Sequence, residues 1–142
     1  MATVYLSLGS NQGDRHAMLR QAVQLLGEVG EVQAVSSFIE TEPWGYESAH
    51  RYVNAAVRLV TTLSPTYLLD ATQEIERRLG RTQKTGADGI YHDRPIDIDI
   101  LTYDAVVMHT PRLTLPHPRM AERDFVMTPL REVMANDEAT HC

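Results

Sequence analysis

The sequence has one cysteine, few aromatic residues and no long apolar run. Because the cysteine is Cys142, the last residue, the chain offers neither a disulfide framework nor a structural zinc site built from cysteines. No apolar stretch approaches the roughly 20 residues that cross a bilayer, and residues 1–3 carry no basic leader. We therefore expect a chain that works in the cytoplasm and has no membrane partner.

Positive charge is also scarce. Thirteen lysine and arginine residues stand against 19 aspartate and glutamate residues, which gives a net charge of −6. Nucleic acid is therefore excluded as the main partner, although a local basic patch could still bind a nucleotide. His92, His109 and His117 show no helical or hairpin ligand spacing, which argues against a zinc site.

Length, composition and the lack of repeats or linkers indicate one domain. The 142 residues, of which 43% are hydrophobic and 23% charged, suffice for a buried core. We expect a single domain over residues 1–142 that works as a monomer.

Two aspartates on one strand are the most informative feature that is present. Residues 94–103 read Arg-Pro-Ile-Asp-Ile-Asp-Ile-Leu-Thr-Tyr, so Asp97 and Asp99 share one strand face while the isoleucines face a core. Two carboxylates about 7 Å apart repel each other by about 2 kcal/mol, which a cation would offset. Paired carboxylates suit magnesium with phosphates, and Arg94 could bind phosphate. The alternative is an edge strand with a polar outer face.

Hydrophobic periodicity predicts the order strand, helix, strand, strand, helix, strand, and then a mostly helical end. The predicted strands are residues 2–8, 32–40, 52–62 and the aspartate stretch, and the predicted helices are about 15–26 and 65–79. Ser64 and Pro65 favour a helix start. We further expect a hairpin from Asp104 into residues 106–108, a short helical stretch near Arg123, and a last helix at about 126–134.

Connecting segments and one polar strand residue are further candidates. The turn at residues 9–14 lacks the spacing of a phosphate loop, and we interpret it as a connector. Trp44, the only tryptophan, could stack on a flat heterocycle or simply pack against the sheet. Asn54 interrupts an apolar strand, and its amide could bind the edge of a pyrimidinone or lie in solvent. Residues 81–93, with two glycines and no hydrophobic period, are predicted to form a long loop, and loops of this length in a compact domain are usually functional lids or disordered.

Three stretches resemble a known family. Residues 94–101 are close to its signature of an arginine, two spacers and Asp-x-Asp, and residues 52–57 and 113–120 also match family segments. On these motifs the chain resembles the 6-hydroxymethyl-7,8-dihydropterin pyrophosphokinases of folate biosynthesis. The resemblance covers nearly the whole chain and implies an α+β fold, a ferredoxin-like α/β sandwich in which helices pack on an antiparallel sheet.

The resemblance also implies an activity and its residues. The enzyme would transfer the β,γ-diphosphate of ATP to the hydroxymethyl group of 6-hydroxymethyl-7,8-dihydropterin and release AMP. Asp97 and Asp99 would hold two magnesium ions bound with ATP, and Arg81 and Arg94 would act beside them. The positions that would line the ATP site are Gln73, Glu76, Arg81, Arg94, Arg112, Thr114, His117 and Arg123. The positions that would surround the pterin are Thr41, Trp44, Tyr52, Asn54 and Phe125, with Phe125 stacked on the ring.

Several residues depart from the family pattern. Gln83 stands where many members carry a lid arginine, Tyr91 where some carry a lid tryptophan, and Trp44 where leucine is common. Pro118 replaces a tyrosine seen in some members, and the lid is a few residues longer than in the shorter members. We predict that residues 82–93 form this lid, that it is mobile in the free protein, and that it closes over ATP. We expect these departures to affect lid motion and rate rather than the identity of the reaction.

Two other classes of protein are compatible with parts of this pattern. A ferredoxin-like module that binds RNA would need exposed aromatic residues on central strands and a basic surface, and a regulatory domain would not need paired aspartates. An enzyme that transfers a nucleotidyl group could use the same two aspartates, but it would release pyrophosphate instead of AMP.

Overall fold

The computed structural model describes residues 1–11, 14–41, 52–80, 96–118 and 120–141. Its elements in chain order are β1 Ala2–Ser10, α1 Arg15–Leu26, β2 Glu31–Val35, β3 Ile39–Thr41, β4 Tyr52–Thr61, α2 Pro65–Arg78, β5 Asp97–Tyr103, β6 Met108–His109, β7 Thr114–Leu115, a 3₁₀ turn Met120–Glu122 and α3 Asp124–His141. Within these residues, no helix has the length and apolar character needed to cross a membrane.

Five strands form one antiparallel sheet. The strand order is β2-β4-β1-β5, and β3 pairs with the same strand, β4, that β2 pairs with. Each of α1 and α2 connects two strands that are not adjacent to each other. This arrangement confirms the α+β, ferredoxin-like fold that the resemblance implied.

The sheet has two different faces. On the face that we call the α1/α2 face, side chains such as Leu6 and Val57 pack with Leu19 of α1 and Leu68 of α2 in the larger core. On the opposite face, which we call the α3 face, Ala56 and Leu101 pack with Val126, Leu130 and Val133 of α3. Because residues opposite each other in an antiparallel register share a face, the α3 face also carries Ser7, Gly9, Asn54, Asp97 and Asp99.

The predicted helix starts are confirmed by their caps. The Asp14 side chain accepts a hydrogen bond of 3.0 Å from the Ala17 N–H at the start of α1. The Ser64 hydroxyl accepts one of 3.4 Å from the Tyr67 N–H, and Pro65 is the first residue of α2. These bonds satisfy helix N–H groups that have no partner within the helix.

Two predicted strand boundaries were wrong. β1 does not end at Leu8, because Gly9 and Ser10 continue its pairing with β4. The strand expected over residues 32–40 is interrupted at Ser36, whose hydroxyl accepts a hydrogen bond of 2.8 Å from the Ala56 N–H. The Ser36 hydroxyl takes the place of the backbone carbonyl that would accept this bond in a continuous strand pair. The predicted strand is therefore divided into β2 and β3.

The C-terminal third also differs from the prediction. The expected hairpin partner of β5 is absent from the described residues, since β6 pairs with β7 instead. Asp104 ends β5 in a left-handed conformation (φ 49°), and its carboxylate accepts a hydrogen bond from the Thr3 N–H. The last helix, α3, begins two residues before the predicted start and extends well beyond residue 134.

Candidate active site

Asp97 and Asp99 lie on the α3 face at the start of β5. In the register with β1, Asp97 stands opposite Gly9 and Asp99 opposite Ser7. Both aspartates are half-buried, whereas Ile96, Ile98 and Ile100 are buried in the core. The predicted division of this strand into a carboxylate face and a core face is therefore confirmed. β5 is also an edge strand of the sheet, as the alternative interpretation supposed.

The donor set at this position fits magnesium bound together with phosphates. Asp97 and Asp99 supply oxygen ligands only, and the residues opposite them on β1 are small. In the described ranges, no group of three or more His, Cys, Asp or Glu side chains could hold a metal ion by itself. Magnesium is usually held by one or two carboxylates plus substrate phosphates, so the two aspartate carboxylates match that requirement.

Glu76 contacts the same strand from its outer side. This glutamate of α2 is only 5% exposed. Its Oε2 accepts a hydrogen bond of 2.8 Å from the backbone N–H of Ile98, the residue between the two aspartates. The family resemblance implied that Glu76 lines the ATP site, and the structure shows a contact of Glu76 with the backbone that carries the aspartates.

Asn54 lies on β4, on the other side of β1 from the aspartates, and stands opposite Gly9 in the β1–β4 register. The residue is 3% exposed, so the solvent-exposed alternative is wrong. A Cβ atom at Gly9 would lie 3.1 Å from Asn54 Oδ1 and 3.4 Å from Tyr52 Cδ1. Gly9 therefore gives the Asn54 amide and the Tyr52 ring their space. This role of Gly9 was not predicted from the sequence, in which the only signal was a glycine at the end of an alternating strand.

Phe125 and Arg123 lie at the start of α3. The Phe125 side chain packs against the α3-face core that contains Leu101 and Val126. The guanidinium carbon of Arg123 is 5.8 Å from the centroid of the Phe125 ring, within the range of a cation–π contact. The two residues that were predicted to bind different substrates are therefore neighbours.

Arg112 and Gln73 are brought together at the end of the β6–β7 hairpin. Arg112 Nη2 lies 2.6 Å from Asp70 Oδ1 and 3.5 Å from Gln73 Oε1, both on α2. Thr114 is half-buried in β7 and pairs with His109. The His117 N–H donates a hydrogen bond of 2.8 Å to the Leu101 carbonyl, which fixes this segment beside β5.

Some predicted site residues lie outside the described residues. They are Trp44, Arg81 and Arg94, together with the predicted lid at residues 82–93. Thr41 is the last residue of β3 and pairs with Tyr52 in the β3–β4 register.

Comparison with known proteins identifies the family. Residues 5–135 match the family of 7,8-dihydro-6-hydroxymethylpterin-pyrophosphokinases. A 2-amino-4-hydroxy-6-hydroxymethyldihydropteridine pyrophosphokinase of Porphyromonas gingivalis is 55% identical over 135 residues, covering 94% of this chain and 91% of its own. The chain belongs to this family. A pyrophosphokinase of the same name from Bacillus subtilis is 46% identical over 131 residues, covering 91% of this chain and 76% of its own.

Solved structures agree on the fold. A Plasmodium falciparum HPPK-DHPS structure superposes with a TM-score of 0.71 over 92% of this chain and 39% of that chain, at 14% sequence identity. This likeness concerns the fold alone.

Membership in the pyrophosphokinase family decides between the classes that the sequence suggested. The chain is an ATP-dependent enzyme of folate biosynthesis that transfers pyrophosphate from ATP to hydroxymethyldihydropterin. Enzymes of this family use ATP together with magnesium. The non-enzymatic interpretations and the nucleotidyl-transfer interpretation are thereby excluded.

Proposed function

We propose that Asp97 and Asp99 hold the magnesium ions, two in number, that bind with ATP in this pyrophosphokinase. The observation that carries the proposal is the position of both carboxylates on the α3 face, opposite Gly9 and Ser7. Repulsion between the two carboxylates favours cation binding. When bound, magnesium neutralises the negative charge of the ATP phosphates and of the departing group.

The ATP site extends from the aspartates toward the hairpin and α2. We propose that Gln73, Arg112, Thr114, His117 and Arg123 bind ATP, with Arg81 and Arg94 as further cationic groups. The Arg112 side chain is 51% exposed and its partner Asp70 is 54% exposed. An exposed ion pair of this kind contributes little stability, so Arg112 can exchange Asp70 for a phosphate at small cost.

The pterin site lies beside Asn54. The buried amide of Asn54 offers a donor and an acceptor to the edge of the heterocycle. Phe125 provides an aromatic face for stacking, and Tyr52, Thr41 and Trp44 complete the proposed set. Because Asn54 and the aspartates share the α3 face, a pterin bound at Asn54 can direct its hydroxymethyl group toward the phosphates held at Asp97 and Asp99.

In the reaction, the hydroxymethyl oxygen attacks the β-phosphorus of ATP. The bond from that phosphorus to the oxygen that bridges it to the α-phosphorus breaks, and AMP leaves. The protein residues position the two reactants and balance their charge, which is how most catalysis of phosphoryl transfer is achieved.

The nucleotide product tests this chemistry. The chain, ATP, magnesium and 6-hydroxymethyl-7,8-dihydropterin should yield one AMP for each pterin diphosphate, as measured by chromatography. A reaction without pterin, run in parallel, corrects for ATP hydrolysis. Stoichiometric ADP would contradict the proposal, because it would mean that a single phosphoryl group is transferred.

We further propose that residues 1–142 form one pyrophosphokinase domain, which works as a monomer in the cytoplasm. The match to the family over residues 5–135 supports the single domain. Sedimentation equilibrium should give a mass near 16.0 kDa. A mass that doubles at working concentrations would contradict the monomer.

A further inference from the structure

Glu76 carries an inference that deepens the proposed function. We propose that Glu76 is a positioning residue that fixes the backbone of β5, so that Asp97 and Asp99 present their carboxylates to magnesium in one arrangement. This role rests on the metal role proposed above for the two aspartates, and it differs from the direct contact with ATP that the family resemblance implies.

The position of the hydrogen bond is the first argument. Glu76 Oε2 accepts the bond from Ile98 N–H at 2.8 Å, and Ile98 separates Asp97 from Asp99. Successive N–H groups of a strand point to opposite sides. The Ile98 N–H is directed toward α2, so it points away from β1 and lies on the outer edge of β5. The strand is therefore held at the aspartates from both sides, by β1 on one side and by Glu76 on the other.

Burial is the second argument. Glu76 is 5% exposed, and a buried carboxylate is costly unless hydrogen bonds compensate it. A neutral side chain or water could satisfy an edge N–H at lower cost. A charged acceptor makes a shorter and stronger bond, which restrains the backbone more tightly. Groups behind metal ligands commonly act in this way, and their loss costs about 10- to 100-fold in metal affinity or activity.

The chain offers matched variants for a test. Glu76→Gln keeps the length and an acceptor but removes the charge, whereas Glu76→Asp keeps the charge but shortens the reach. Glu74 serves as the control, because it lies on the same helix, is 54% exposed and pairs with Arg77. Neither Glu76 variant leaves a cavity of the size that Glu76→Ala would create, so both are expected to fold.

Three measurements should be made on each variant. Hydrogen exchange followed by NMR reports the Ile98 amide in the free protein. Steady-state kinetics give the magnesium concentration for half-maximal turnover at saturating ATP and pterin. Calorimetry with a non-hydrolysable ATP analogue in EDTA gives nucleotide affinity without metal.

Positioning predicts that Glu76→Asp speeds exchange at Ile98 and raises the half-maximal magnesium concentration by about 10- to 100-fold. Its affinity for the analogue in EDTA should stay at the parental value. Glu76→Gln keeps a weaker, neutral acceptor, so its exchange at Ile98 and its half-maximal magnesium concentration should lie between those of Glu76→Asp and the parental protein. Glu74→Gln should keep the parental values in all three measurements.

The opposite pattern overturns the inference. If the half-maximal magnesium concentration rises as much in Glu76→Gln as in Glu76→Asp, Glu76 acts through its charge. If either variant loses nucleotide affinity in EDTA, Glu76 acts by touching ATP. If Glu76→Asp keeps parental exchange and magnesium dependence, Glu76 has no positioning role. Asp97→Asn measured alongside separates the two proposals. If Asp97→Asn keeps the parental half-maximal magnesium concentration, the metal role itself is contradicted. If that concentration rises in Asp97→Asn but not in Glu76→Asp, only the positioning role of Glu76 is contradicted.

Discussion

Gly9 and Ser7 stand opposite Asp97 and Asp99 in the β1–β5 register, and Gly9 also stands opposite Asn54 in the β1–β4 register. One glycine of β1 therefore borders both proposed substrate sites. A larger side chain at this position would occupy the space between the carboxylates and the amide. The lack of a side chain at Gly9 is thus part of the geometry of the site.

Gly9→Ala tests this role. The new Cβ would lie 3.1 Å from Asn54 Oδ1, so the amide must turn or shift. We expect pterin binding to weaken by about 1–3 kcal/mol, because a displaced buried amide loses its hydrogen bonds. ATP affinity should change less. Calorimetry with each ligand measures the two effects.

Gly27→Ala is the matched control, since its Cβ would also meet an oxygen at 3.1 Å, the Gln24 carbonyl, but at the end of α1. It should leave both affinities at the parental values. Unchanged pterin affinity in Gly9→Ala would show that the Asn54 amide does not bind the ring.

The pterin residues themselves give a second prediction at this scale. Asn54→Ala and Phe125→Ala should each weaken pterin binding by about 1–3 kcal/mol, through lost edge hydrogen bonds and lost stacking. The Phe125 ring also contacts Arg123, at 5.8 Å. Phe125→Leu is therefore included, because leucine keeps an apolar side chain for packing but has no ring that can stack on the pterin. An equal loss for ATP and pterin in calorimetry would indicate a general structural role instead.

At the scale of elements, α3 is attached to the sheet by polar contacts as well as by its apolar side chains. Arg58 of β4 is 5% exposed, and its Nη1 donates a hydrogen bond of 2.9 Å to the Val133 carbonyl. The Glu132 carboxylate accepts bonds of 3.0 and 3.1 Å from the Ser37 N–H, between β2 and β3. These contacts fix the helix whose first turn carries Phe125.

Arg58→Ala tests the attachment. The substitution removes the buried methylene groups of the arginine and leaves the Val133 carbonyl without this donor. It should therefore lower the free energy of unfolding by about 3 kcal/mol. Arg77→Ala, which removes an exposed arginine paired with Glu74, should lower it by less than about 1 kcal/mol. Urea denaturation measures both values. Equal effects of the two substitutions would contradict a special role of Arg58.

The elements that sequence could predict are those that depend on local order. The alternation around Asp97, the cap at Ser64 and the apolar stripe of α2 are set by neighbours within a few residues, and the structure confirms them. The break at Ser36 could not be predicted, because it depends on Ala56, which is 20 residues away. The contact of Glu76 with Ile98 likewise spans 22 residues and exists only once α2 packs beside β5.

At the scale of the whole molecule, one face of the sheet carries the larger core and the other carries the proposed site. In the described residues, the α1/α2 face carries the larger apolar core, whereas the α3 face combines a smaller apolar cluster under the last helix with polar side chains. The same face carries the aspartates on β5 and Asn54 on β4, the two strands that flank β1. Substitutions on the polar part should therefore change catalysis with little effect on stability, because the main core lies on the other side of the sheet.

The metal role of the two aspartates is the central claim, and turnover of Asp97→Asn and Asp99→Asn tests it most directly. Asp104→Asn is the control, since asparagine keeps both the acceptor for the Thr3 N–H and the tolerance for positive φ. Turnover is measured at saturating ATP and pterin over a range of magnesium concentrations. We predict that the turnover of each site variant falls at least about a hundredfold, whereas Asp104→Asn keeps the parental turnover. Without magnesium, the melting temperatures of the two site variants should not fall below that of the parental protein. Near-parental turnover of both site variants at modest magnesium would contradict the account.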